Sequence, residues 1–264
     1  MTCSSARRPR APKTTSRGSS SPTGFDEHGS AFDAARAEFV RVQCAAADRP
    51  EKDPDRVRLD RKAAALFFAH GWHWFGRPAQ PAGWRSGWHD LFRQFRRGTL
   101  TDLRLPARLA HLVADLPALF ATEPVGTITF ECVGVRADHL RAVRRLAVPP
   151  RPVRLAFRRV FVNGDPFGYI ATALDSPLAR AAVAVDAAGC GVGPPLAFAL
   201  ARSLFLDALR ELVLDGNRLD ALAAVSLACN RRLAKLDVLS LRGNDFNPAA
   251  LAMLHERFGE GLVV

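Results

Sequence analysis

Lysine is nearly missing from this 264-residue chain. Only Lys13, Lys52, Lys62 and Lys235 are present, so arginine supplies almost all of the formal net charge of +11. Arginine is scattered along the whole chain, often beside Asp or Glu, and alanine is abundant. A nucleic-acid reader concentrates its charge on one face or in one stretch. The scatter argues against nucleic acid as the partner, although the arginine excess keeps a nucleic-acid-associated protein as the alternative.

Cysteine is sparse and unpatterned. Cys3, Cys44, Cys132, Cys190 and Cys229 are odd in number and contain no C-x-x-C, which excludes a disulfide scaffold and predicts reduced thiols. No apolar run reaches the length of a membrane span, so no membrane partner is expected. Gly-x-x-x-x-Gly-Lys, Gly-x-Ser-x-Gly and His-Glu-x-x-His are all absent. Nothing assembles a nucleophile, base and oxyanion donor, and the expectation is no enzyme and no cofactor. A hydrophobic fraction of 48% and a charged fraction of 24% exclude a wholly disordered chain.

Three regions follow one another. Residues 1–30 form a basic tail rich in Ser and Thr. Its first 25 residues hold Arg7, Arg8, Arg10, Lys13 and Arg17 and no acid, a composition that predicts disorder. The apolar core of a secretory signal peptide is missing. Residues 31–98 read as a helical, Trp-rich cap region. Phe32, Ala35, Phe39 and Val42 share a stripe within a helix over Ala31–Ala47. Further helices are expected over Val57–Phe68 and Gly83–Arg97.

From residue 99 to 264 a repeat appears. Its clearest copies are Leu209-x-x-Leu212-x-Leu214-x-x-Asn217-x-Leu219 and Leu236-x-x-Leu239-x-Leu241-x-x-Asn244-x-Phe246. Weaker copies centre on the apolar pairs Val183/Val185, Leu155/Phe157, Ile128/Phe130 and Leu103/Leu105, with steps of 25, 27, 28, 29 and 27 residues. Residues two apart in a strand point to one side, so each pair enters the core together. Asn247-Pro248 and Asp165-Pro166 are N-cap signals for the helices that return the chain.

These spacings resemble leucine-rich repeats of the long, ribonuclease-inhibitor-like kind. In the first four copies the Asn place is taken by Arg108, Val133, Val160 and Ala188. The resemblance implies an α/β fold: a solenoid of about six 25–29-residue repeats, with parallel strands on a concave face, helices on a convex face and an N-terminal helical cap. Families with this fold mostly bind other proteins. Bacterial leucine-rich-repeat ubiquitin ligases carry Cys-x-Asp, and no cysteine here has Asp two residues on. Residues 31–98 show no convincing F-box. The Ser-rich, acid-free start resembles the export signal of bacterial type III secreted effectors and, loosely, a mitochondrial transit peptide. A location inside a host cell after secretion, or in the cytoplasm, is the expectation.

Strand alternation nominates the partner-binding residues: Arg104, Thr129, Glu131, Arg154, Arg158, Arg159, Asp186, Arg210, Glu211, Asp215, Asp237, Ser240 and Arg242. A mixture of arginine and acid suits a protein surface better than a phosphate backbone. A second cluster holds His70, Trp72, His73, Trp74, Trp84, Trp88, His89 and Asp90. Two imidazoles three apart on a helix, with His89 or Asp90, offer a metal site and an enzymatic reading. The competing reading is an aromatic cap over the first repeat, and the expectation is no bound metal. Gly189-Cys190-Gly191-Val192-Gly193 reads as a turn at a strand exit, not a phosphate cradle. Leu262-Val263-Val264 reads as a last strand whose edge permits self-association.

Overall fold

The computed structural model describes residues 31–76, 84–106, 116–131, 137–146, 148–158 and 166–264. The N-terminal tail, Arg159, Cys132, Asp165 and the expected Asn-place residues Arg108, Val133 and Val160 lie outside them. Helices α1 (Ala31–Ala47), α2 (Pro54–Trp74) and α3 (Trp84–Phe92) come first. Then strand and helix alternate: β1 (Asp102–Pro106), α4 (Leu116–Thr122), β2 (Thr127–Glu131), α5 (Ala137–Val143), β3 (Val153–Arg158), α6 (Pro166–Leu174), β4 (Ala182–Asp186), α7 (Pro195–Arg202), β5 (Glu211–Val213), α8 (Ala221–Ala228), β6 (Val238–Ser240), α9 (Pro248–Phe258) and β7 (Leu262–Val263). All seven strands form one parallel sheet in sequence order. Parallel neighbours need a crossover between them, and the helices supply it. Among the described residues no helix is long and apolar enough to cross a membrane.

The core is one continuous cluster from the cap to β7. Leu103/Leu105, Ile128/Phe130, Leu155/Phe157, Leu212/Leu214 and Leu239/Leu241 are all buried. In the fourth unit the expected pair is displaced. Val185, not Val183, stands opposite Leu155 and Leu212, and the second buried position is Ala187. The step from Leu155 to Val185 is 30 residues; a register shift beside Val153, which leaves Val183 without a partner in the ladder, lengthens this unit.

That correction moves the polar ladder. Asn217 Nδ2 donates to the carbonyls of Ala187 (2.8 Å) and Asp215 (3.2 Å). Asn244 Nδ2 donates to Leu214 (3.0 Å) and Leu241 (2.8 Å), and its Oδ1 accepts from the Asn217 and Leu219 N–H groups. Each amide satisfies backbone groups stripped of partners where the chain leaves the strand. One unit earlier the equivalent residue is Cys190, not Ala188. Its Sγ lies 3.7 Å from the Phe157 carbonyl and 3.8 Å from that of Ala188.

The expected cap Asn247 accepts from Ala250 N, and two further caps are Asp53, accepting from Asp55 N, and Asp220, accepting from Ala223 N. The helix α2 extends beyond the expected Val57–Phe68 at both ends. The third cap helix stops at Phe92 instead of Arg97, because Arg97 and Gly98 take positive φ (49° and 82°) in a turn closed by an Arg96–Thr99 bridge. A Cβ on Gly98 would stand 2.8 Å from the Val40 Cα, so glycine lets α1 lie against this turn.

The cap joins the sheet through aromatic packing and one buried ion pair. Phe39, Phe67, Phe75, Trp88, Leu91 and Phe95 pack into the core that continues through Leu100 and Leu103. Arg36 Nη2 donates to Glu123 Oε1 (2.6 Å) and to the Gly98 carbonyl (2.8 Å). Glu123 Oε2 accepts from the Leu100 N–H at 3.0 Å. The pair therefore ties α1, the turn before β1 and the end of α4 together.

Candidate protein-binding face

Strand register sorts the positions that do not face the core. One row runs Asp102, Thr127, Arg154, Ala184, Glu211 and Val238; the next runs Arg104, Thr129, Ala156, Asp186, Val213 and Ser240. Glu131 and Arg158 pair in a third row, beside Pro106. Thus Arg104, Thr129, Glu131, Arg154, Arg158, Asp186, Glu211 and Ser240 share one face of the sheet. Arg210 and Asp237 precede β5 and β6, and Asp215 and Arg242 follow them, so these four flank the face. Arg159 lies outside the described residues.

The two central arginines are already engaged. Arg154 reaches across Ala184 to grip Glu211 two strands away, Nη1–Oε1 2.9 Å and Nη2–Oε2 2.5 Å. Arg158 Nη2 donates to Asp186 Oδ2 at 2.5 Å. The bridging works because the crossed position is alanine. A span of two strand spacings, roughly 10 Å, is within reach of two long side chains only when the side chain between them is small. Ala156 and Ala184, although on this face, are 4% and 5% exposed. The Glu211 and Asp186 bonds hold the Arg154 and Arg158 guanidiniums above their ordinary pKa. Burial pushes the Asp186 carboxyl up, but the Arg158 bond, the Ala188 N–H and both arginine charges outweigh it, so the net shift is downward. These pairs are half-exposed and add little stability; their effect is to fix four long side chains flat on the sheet.

Asp215 and Ser240 are also committed internally. Asp215 Oδ1 accepts from Ser240 Oγ (2.7 Å) and Arg242 N (2.9 Å), which fastens β5 to the next unit. Arg210 Nη1 donates to the Lys235 carbonyl at 3.1 Å.

At the cap end the face opens into a cleft of about 360 Å³. Asp90, Arg93 and Arg96 wall one side, and Asp102, Arg104, Thr129 and Glu131 the other. Gln94 builds the junction. Its Oε1 accepts from Arg104 N (2.6 Å) and its Nε2 donates to Arg104 O (3.1 Å), so one side chain satisfies the edge of β1 as another strand would. No pattern in the sequence singles out Gln94.

No protein-family model matches the chain, and no curated protein matches it.

Among the described residues no three His, Cys, Asp or Glu side chains gather in one place. His73 packs on the Phe32 ring and His89 stacks on Phe68, while Trp88 is buried beside Phe75. The glycine-rich segment is a turn: Gly189 has φ 64° and its N–H bonds Asp215 O at 2.7 Å. Burial pushes the Cys190 thiol up to about 11, leaving it protonated and a poor nucleophile. Iodoacetamide labelling followed by mass spectrometry is expected to modify the exposed Cys229 in the native protein and Cys190 only after unfolding. Equal labelling of the two would contradict this placement.

Proposed function

We infer that this chain is a leucine-rich-repeat protein that holds a partner protein on the open face of its sheet, and that it works by binding and not by catalysis. The observation that carries the reading is the lattice Arg154–Glu211 and Arg158–Asp186 laid over Ala156 and Ala184. It presents polar groups in fixed positions, so little side-chain freedom is lost on association. Paired charge of both signs complements a protein surface. A phosphate backbone would instead meet carboxylates at the centre of the face. The acid-free, serine-rich first 25 residues support delivery as a secreted effector acting in a host cell.

The test is affinity capture from a nuclease-treated eukaryotic lysate, comparing wild type with the double variant Arg104→Glu/Arg242→Glu. Both side chains are exposed and make no ion pair among the described residues, so folding should be unaffected. The reading expects a protein held by wild type and lost by the variant. Identical captures would sink it, and binding that vanishes with nuclease or falls steeply with salt would transfer the chain to the nucleic-acid class.

Self-association at the other end has a narrow basis. The edge strand β7 is two residues long, with Leu262 buried and Val264 half-exposed. A concentration-dependent dimer in sedimentation velocity would assign this edge a role; a monomer throughout would remove it.

A further inference from the structure

The helix side of the sheet carries a second surface. Helices α6 and α7 leave a groove of about 830 Å³ between them. Phe167, Ala171, Phe198 and Leu204 line it. Phe198 is 45% exposed and Leu204 62% exposed. Neither is needed by the core, which α7 fills with Leu196, Ala197 and Leu200. A solvated helix normally turns charge outward, yet α7 has none before Arg202.

The rim is positive on balance. Arg144 and Arg202 border the groove against one acid, Asp175; both arginines are exposed and without an ion-pair partner among the described residues. Past Leu204 the trough continues over Phe205, where the Arg180 guanidinium sits 4.8 Å from the ring, towards Arg210 and Lys235. Asp207 on this stretch is taken by Arg232 at 2.7 Å.

We propose that this groove docks an acidic amphipathic helix of a partner protein, as a contact separate from the open face. An apolar floor with a basic rim matches a helix carrying apolar anchors at three- and four-residue spacing and acids beside them. Other occupants fit worse. The chain's own first 25 residues bring five basic residues and no acid. A second copy brings a net charge of +11. A flat bilayer would meet the protruding Phe198 and Leu204 but would leave Phe167 and Ala171, half-buried in the recess, uncovered.

The test pans a displayed library of random peptides of about 16 residues on the full-length protein. Two groove variants, Phe198→Ser/Leu204→Ser and Arg144→Glu/Arg202→Glu, and the face variant Arg104→Glu serve as comparisons. The expected winners carry Leu, Ile or Phe at helical spacing and net negative charge. They lose about tenfold or more in affinity on either groove variant and keep it on Arg104→Glu. The arginine pair lies wholly on the surface, so its effect reads binding even if the serine variant folds poorly. No enrichment, winners without acidic character, or winners that ignore the arginine pair would overturn the proposal. So would groove-dependent sedimentation with phosphatidylserine vesicles in the absence of peptide binding. Loss of open-face binding alone leaves this result unchanged, so the two readings fail separately.

Discussion

Arg36→Ala is expected to destabilise the protein by about 3–5 kcal/mol, the range for removing one partner of a buried ion pair. Arg36 and Glu123 side chains are 12% and 2% exposed. The guanidinium sits 4.9 Å from the Trp74 ring centre, 5.4 Å from Phe39 and 5.5 Å from Phe95. Removing it leaves the Glu123 carboxylate enclosed, held among the described residues by the Leu100 N–H alone. Burial already raises the Glu123 pKa, against the pull of Arg36, and lowers that of Arg36. In the variant the opposing charge is gone, so the folded carboxyl titrates higher still. A group with a raised folded pKa loses its contribution as pH rises through that pKa. The deficit of Arg36→Ala should therefore be larger near pH 8 than near pH 5. Urea unfolding at the two pH values measures it. The paired variant Arg36→Met/Glu123→Leu should recover much of the loss, because no charge is left buried. A loss below about 1 kcal/mol for Arg36→Ala would show that the pair does not fasten the cap.

Asn217→Ala should cost about 2–4 kcal/mol. The residue is fully buried, and its amide donates to Ala187 O and Asp215 O. Each abandoned buried acceptor carries a penalty of roughly 1–3 kcal/mol. Cys190→Ala removes only weak sulfur contacts at the equivalent place and should cost less than Asn217→Ala. Chemical denaturation ranks the two. Equal costs would mean that packing, not the amide, matters at this position.

The two strongest repeat copies were enough to place most strands, because leucine at spacing two marks the core and Asn marks the exit. In the fourth unit the apolar pair sits two residues later than the Val183/Val185 spacing suggests, at Val185 and Ala187. Ala187 is too small to stand out as a core residue, and cysteine in the Asn place hid the pattern Ala182-x-x-Val185-x-Ala187-x-x-Cys190-x-Val192. That pattern is legible once cysteine is allowed there. The register shift beside Val153 is not, since it depends on how β4 pairs with β3.

The face shows the same division. Alternation told which side chains leave the core side of each strand. It could not tell that Arg154 finds Glu211, 57 residues away, across an alanine. Nor could it separate Arg36, on an amphipathic helix and indistinguishable by type from solvated arginines, from those arginines. Its burial follows from how α1 meets the end of α4.

The most direct test of the account places a benzophenone photocrosslinker at Thr129, on the open face where it borders the cap-end cleft. A second protein carries it at Glu256, on the exposed side of α9. Irradiation in a eukaryotic lysate is followed by mass spectrometry. The account predicts one protein crosslinked from Thr129, absent from the Glu256 sample and displaced by unlabelled wild type. Crosslinks to nucleic acid alone, or the same proteins from both positions, would contradict it.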